Sequence, residues 1–248
     1  MSNNLNIYLS GHIRTLYQCF PKTLEVIRKN NPDTSIVIYY SFWDSEERLL
    51  DRKQVTGHAD GEWATLSSEN LTKDMTSRTQ LNLFFTQLGC VIGKDQILAL
   101  SVMDNVIKKT PFRNENKNNV SKLSSQYFQI QEAAALNPNP NPEDFCLRLR
   151  ADIYLEDFPT LEDSPPGLIV NEFVWENNHY KGNASNEMVW LCRGKYFNST
   201  CSLYSREAEY VDYRFGENVT GHFFIDLIRK KKIPEKIYSF NFRYRILR

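Results

Sequence analysis

The run Ser35-Ile36-Val37-Ile38-Tyr39-Tyr40-Ser41-Phe42 limits the possible folds more than any other stretch of the chain. It is apolar almost without a break, as expected of a strand covered on both faces in a parallel sheet. Parallel neighbours need crossover connections, and the flanking sequence supplies them. Leu5-Asn6-Ile7-Tyr8-Leu9 reads as a first strand. Leu16, Cys19, Phe20, Leu24 and Ile27 then recur at helical spacing before the apolar run begins. Strand and helix alternation through the first half therefore predicts an α/β fold with a central, mostly parallel sheet flanked by helices.

Further elements follow in order. Residues 45–80 are polar and mixed, and residues 81–92 read as helix. Gln96 to Leu100 reads as a strand, and residues 112–119 as a loop. Residues 121–136 form a helix with Leu123, Tyr127, Ile130 and Ala134 on one face. Asn137-Pro138-Asn139-Pro140-Asn141-Pro142 ends that helix and makes a stiff extended connector. Gly167 to Val170 and Met188 to Cys192 read as strands, with a loop-like stretch at 171–186 between them. Residues 196–210 and 219–232 read as helices, the second with Arg229-Lys230-Lys231-Lys232 in its last turn. The tail from Ile237 to Arg248 alternates like an edge strand.

The connector delivers the chain into Asp144-Phe145-Cys146-Leu147-Arg148-Leu149-Arg150-Ala151-Asp152-Ile153-Tyr154-Leu155. Period-2 alternation predicts one strand here, with Arg148, Arg150, Asp152 and Tyr154 on one face. Two guanidinium groups and a carboxylate on one strand face are costly to bury unless they satisfy one another or meet a ligand. Both readings stand on the spacing: a phosphate- or metal-binding site, or a buried Arg–Asp pair tying elements together.

At the end of the first strand, Ser10-Gly11-His12-Ile13-Arg14 places small residues where a ligand could approach the backbone, with a helix start behind them. There is no Walker pattern and no GxGxxG. Asp44 follows the second strand, at the carboxyl end where open α/β sheets bind ligands.

The chain has 248 residues and zero formal net charge, so whole-chain charge gives no case for nucleic acid. No run is apolar for long enough to span a bilayer, and Met1-Ser2-Asn3-Asn4 lacks a secretory layout. The five cysteines are scattered, odd in number and without a CxxC pair, which predicts reduced, buried thiols in a cytoplasmic protein.

The order of these motifs resembles bacterial and viral glycosyltransferases of the GT-A fold. The resemblance rests on Ser10-Gly11-His12-Ile13-Arg14, on Phe42-Trp43-Asp44, on the helix from Ser125-Gln126-Tyr127 to Ala133, and on Arg148-Leu149-Arg150-Ala151-Asp152. Asn186-Glu187 and Gly216-Glu217 match two later steps in altered form. It implies one GT-A-like domain, with residues 1–136 as the nucleotide-binding half and 137–248 as the metal and acceptor half. The implied activity moves a sugar from a nucleoside-diphosphate sugar to a glycan or lipid-linked acceptor in cell-surface polysaccharide synthesis.

The resemblance also implies roles. Ser10, Gly11, Arg14, Asp44, Arg150 and Asp152 would bind the donor. Asp152 would hold Mn²⁺ or Mg²⁺, with His222 or His179 completing the site. Arg150 stands where the first acid of a D-x-D motif would, so metal-independent chemistry, with Arg14 or Arg150 supplying positive charge, stays open. Glu187 is the first choice for the catalytic base and Glu217 the second. The basic tail would make peripheral contact with an anionic membrane. A sugar nucleotidyltransferase and a non-catalytic carbohydrate- or nucleotide-binding module are the alternatives.

Overall fold

The computed structural model describes residues 4–13, 15–44, 73–109, 117–164, 167–170, 173–176, 179–182, 189–210, 216–233, 237–240 and 242–246. The apolar run becomes strand β2 (Ser35–Trp43), and it is inside the sheet as expected. On one side of it lies β3 (Val91–Leu98) and on the other β1 (Asn4–Gly11), both parallel to it. Beyond β1 come β4 (Phe145–Arg150), β9 (Val189–Arg193), β6 (Leu168–Val170) and β10 (Ile237–Ser239). The seven strands run in the order β10-β6-β9-β4-β1-β2-β3. β1 and β4 are parallel, β9 is antiparallel to both of its neighbours, and β10 is again parallel to β6.

Alternation along the central strands sends side chains to two helical layers. Leu5, Ile7 and Leu9 of β1, Ile38 and Phe42 of β2, and Leu147 and Leu149 of β4 join one core. That core is covered by Leu16, Phe20 and Leu24 of α1 (Leu16–Asn30) and by Leu81 and Phe85 of α2 (Arg78–Gln87). Tyr8, Cys146, Trp190 and Cys192 face the other way, against Tyr127, Ile130 and Ala134 of α4 (Lys117–Ala135). Phe197 of α5 (Gly194–Thr200) and Phe223 of α6 (Gly216–Arg229) complete that layer. A smaller cluster joins Trp43 to Leu100 and Met103 of α3 (Leu100–Lys109), a helix that the sequence reading had not assigned.

Several expectations are corrected. The helix expected over 81–92 ends at Gln87, because Gly89 takes a left-handed φ of 70° and Cys90 N donates to Phe85 O at 3.0 Å. That glycine cap releases Val91 into β3. The single strand expected from 144 to 155 breaks at Ala151-Asp152, and Ile153–Leu155 (β5) pairs instead with Tyr244–Ile246 (β11). The expected tail strand is therefore divided, with β10 on the main sheet's edge. The stretch 171–186, read as loop, contains the hairpin Phe173–Glu176 (β7) with His179–Gly182 (β8). The helix expected over 196–210 is α5 followed by a separate 3₁₀ segment, Tyr204–Tyr210. In α6 only Arg229 of the basic run lies within the helix, and Lys231 sits past its end at φ 54°. Residues 45–72 and 110–116 lie outside the described residues.

The proline connector is held at several points. Pro138 O accepts from Asn198 Nδ2 at 2.5 Å, Glu143 O from Arg193 Nη1 at 2.6 Å, and Asp144 O from Gly194 N at 2.8 Å. Each tie runs to the end of β9 or to α5, so the connector and the start of α5 fix one another.

All five cysteines are free and buried, as their scattered spacing predicts. Burial pushes the Cys146 thiol up to about 12 and that of Cys90 up to about 11. The thiolate is the reactive form, so these groups are shielded twice, by access and by ionisation. A colorimetric disulfide reagent at pH 8 is expected to modify none of the five in the folded protein and all five after unfolding in urea. Rapid modification of even one thiol in the native state would contradict this packing.

Candidate active site

The chain winds from β1 to β2 to β3 in one direction, and then reappears on the other side of β1 as β4. The order reverses between β1 and β4, and a crevice opens outside the carboxyl ends of strands at such a switch point. Two of the motifs singled out in the sequence end there. Ser10 is in register with Arg150, and Ala151 N donates to Ser10 O at 3.1 Å. Gly11 has φ 119°, a region that favours glycine. A Cβ at that position would rest against Arg150 Cγ at 3.6 Å, so Arg150 lies directly beside Gly11.

Charge is concentrated on one face of β4. Arg148 is 1% exposed, donates from Nη2 to Ser10 Oγ at 3.3 Å, and lies over the Trp190 ring at 5.4 Å. Arg150, two residues on, is half-buried and turns its fork onto Asp152. Nε donates to Oδ1 and Nη2 to Oδ2, each at 2.5 Å. Asp152 is 8% exposed. The i, i+2 bidentate pair holds the turn at which the strand breaks.

The neighbouring strand ends add polar groups. Ser41 Oγ accepts from Gln96 Nε2 at 3.0 Å, and the same nitrogen reaches Glu132 of α4 at 3.4 Å. Trp43 stacks on Phe128 of α4. Asp44 is half-buried, and its N–H donates to Leu98 O at 2.7 Å.

The structure thus brings Ser10, Gly11, Arg150 and Asp152 together, with Asp44 at the end of the next strand. Asp152, the residue expected to hold a metal ion, is engaged by Arg150 at both oxygens. Among the described residues there is no cluster of three or more His, Cys, Asp or Glu that could hold a metal. His222 is half-buried on α6, its imidazole lowered by burial and by Arg229. Arg14 and Glu187 lie outside the described residues, and Glu217 stands in the first turn of α6.

Four polar residues take contacts that the sequence alone does not assign. Arg148 was read as part of the strand face but not as the partner of Ser10. Gln96 and Glu132 carry no local pattern that would announce them. Glu207 does leave a trace: Leu203, Glu207 and Tyr210 are all buried, which puts an acid in the rhythm of an apolar face.

No protein-family model matches the chain, and no curated protein matches it in sequence. Among solved structures it is similar to the galactosyltransferase LgtC in complex with donor and acceptor sugar analogs, at 12% identity and a TM-score of 0.40. That match covers 89% of this chain and 70% of the other. It is similar to the glycosyltransferase GlyE of Streptococcus pneumoniae at 12% identity and a TM-score of 0.43, covering 97% of this chain and 45% of that one. The PaToxG glycosyltransferase matches at 12% identity and a TM-score of 0.37, over 94% and 73% of the two chains. Likeness at these scores assigns no role to any residue.

Proposed function

We propose that the chain is a glycosyltransferase that binds a nucleoside-diphosphate sugar in the crevice between the ends of β1 and β4. The observation that carries this reading is the convergence of Ser10-Gly11 and Arg150-Ala151-Asp152 at the point where strand order reverses. Gly11 lets a ligand approach the backbone, and α1 begins five residues later with the positive end of its dipole at the same end of the sheet.

The described donor set does not fit a divalent cation on Asp152. A diphosphate would be met by Arg150 N–H groups other than the two that bond Asp152. Asp152 locks the Arg150 fork in one orientation, and a pre-oriented guanidinium stabilises charge developing on a departing diphosphate. Glu187 and then Glu217 remain the proposed bases for the acceptor hydroxyl. Residues 1–136 would serve the nucleotide, and residues 137–248 the acceptor. The acceptor is a glycan or a lipid-linked sugar. Exposed Lys230, Lys231 and Lys232 would meet the anionic headgroups around it, while among the described residues no helix is long and apolar enough to cross a membrane.

Occupation of Asp152 by Arg150 favours one second reading, a nucleotide- or carbohydrate-binding module without turnover. A thermal-shift screen of UDP-, GDP-, dTDP- and ADP-sugars, with and without Mn²⁺, tests both. A ligand at a hundred times its dissociation constant adds about 2.7 kcal/mol. Stabilisation by one nucleotide class, together with release of its nucleoside diphosphate when acceptor is added, supports transfer. Binding without release supports a nucleotide-binding module, and no response to any nucleotide sugar refutes both that module and transfer.

A further inference from the structure

The 3₁₀ segment Tyr204–Tyr210 lies along α4 and meets that helix through both polar and aromatic contacts. Ser205 N donates to Gln131 Oε1 at 3.1 Å, and the Tyr204 ring meets Phe128 edge-on at 5.0 Å. Between them Glu207 is driven inward to 3% exposure. Ser124 Oγ of α4 donates to its Oε2 at 3.1 Å, while Oε1 has no hydrogen-bond partner. A carboxylate with one hydrogen bond and, among the described residues, no cation beside it is a costly thing to bury.

The charged groups on the segment and on α6 are committed to one another. On its own segment Arg206 forks onto Glu209, Nε to Oε1 at 2.9 Å and Nη2 to Oε2 at 2.6 Å, and also bonds Asp226 of α6. Lys230 pairs with the same two acids, at 3.0 Å to Asp226 and 3.5 Å to Glu209, and Tyr210 Oη donates to Asp226 at 2.9 Å. His222 of α6 is influenced by Arg229. From α4, Glu132 acts on Tyr204, whose phenol is raised by burial, by Glu207 and by Glu132. Each of these groups is an acid, a neutral group or a cation already paired, and Ser124 is the one hydrogen-bond partner of Glu207 among the described residues, so a proton is what neutralises it in place.

We propose that Glu207 is a proton-operated latch that seats the segment Tyr204–Tyr210 on α4 when protonated and releases it when ionised. Burial pushes the carboxyl up to about 7, against an ordinary value of 4.5. The sign follows from linkage. With the seated pKa above the released one, seating is undisturbed below pH 4.5 and weakens as pH rises from there to about 7. Above that the penalty is constant. Release of the segment frees the Arg206 tie to Asp226 of α6.

Hydrogen exchange of the full chain at pH 5 and pH 8, with each rate divided by its intrinsic rate, tests this directly. The opening constant of amides 204–210 is expected to rise on the order of fiftyfold across that interval, with α1 unchanged. In Glu207→Gln the rise disappears, because the amide keeps the shape without titrating. In Ser124→Ala the transition moves to higher pH, since the donor that favours the charged form is gone. Equal protection of the segment at both pH values in the wild type overturns the proposal, as does an undiminished rise in the glutamine variant. Should that variant not fold, the wild-type profile alone decides.

Discussion

Gly194→Ala is expected to destabilise the fold by about 3 kcal/mol, although alanine is the better helix former. Gly194 is the first residue of α5, where propensity alone would make alanine the better residue by up to about 1 kcal/mol. Sterics overrule this. A Cβ there would stand 2.1 Å from Asn141 O, 3.0 Å from Asn141 C and 3.3 Å from Pro140 Cβ. The obstacle is backbone, and it cannot step aside cheaply. Pro138 O is tied to Asn198, Asp144 N donates to Asn141 O at 3.1 Å, and Gly194 N itself donates to Asp144 O. Moving the connector to make room costs several of these bonds at once. Urea denaturation checks the result. A midpoint unchanged from wild type, or raised, would show that the connector does not press on α5 as the geometry requires.

Asp152→Asn is the second large effect, at about 3 kcal/mol. The amide retains the volume but loses the charge, and its NH₂ group points a donor at one of the two Arg150 donors. What is lost is compensation of a half-buried guanidinium, and that loss exceeds the net contribution of the intact pair. Arg150→Gln is expected to cost a similar amount, and the double variant markedly less than the sum of the two. Strict additivity would mean that the 2.5 Å fork contributes nothing in solution.

The fold was legible where burial is periodic. β1, β2 and β9, α1 and α4 stand close to the bounds that alternation and helical spacing gave, because their side chains face a core on one or both sides. Legibility failed where a local device overrides the period. Val91 continues the apolar spacing of α2, and only the positive φ of Gly89 reveals that the helix has ended. Ala151 and Asp152 keep the alternation of β4 through a turn, so the pattern runs on while the backbone changes partners. In the candidate site, Ser10, Gly11, Arg150 and Asp152 were legible as residues that belong together. The partner of Asp152 was legible only as one of two options, since an i, i+2 Arg–Asp spacing suits an internal fork and an external ligand equally well. Glu207 was missed because one acid in a helical stretch reads as solvated until its neighbours are known.

The central claim is that the junction of β1 and β4 is where a nucleotide sits. Hydrogen-exchange footprinting of the full chain with UDP, GDP, dTDP and ADP in turn tests it most directly. One of these is predicted to slow exchange at residues 10–13 and 150–152 together, with weaker protection at Trp43 and Asp44. Protection confined to the β7–β8 hairpin or the α6 terminus, or none with any of the four, would contradict it.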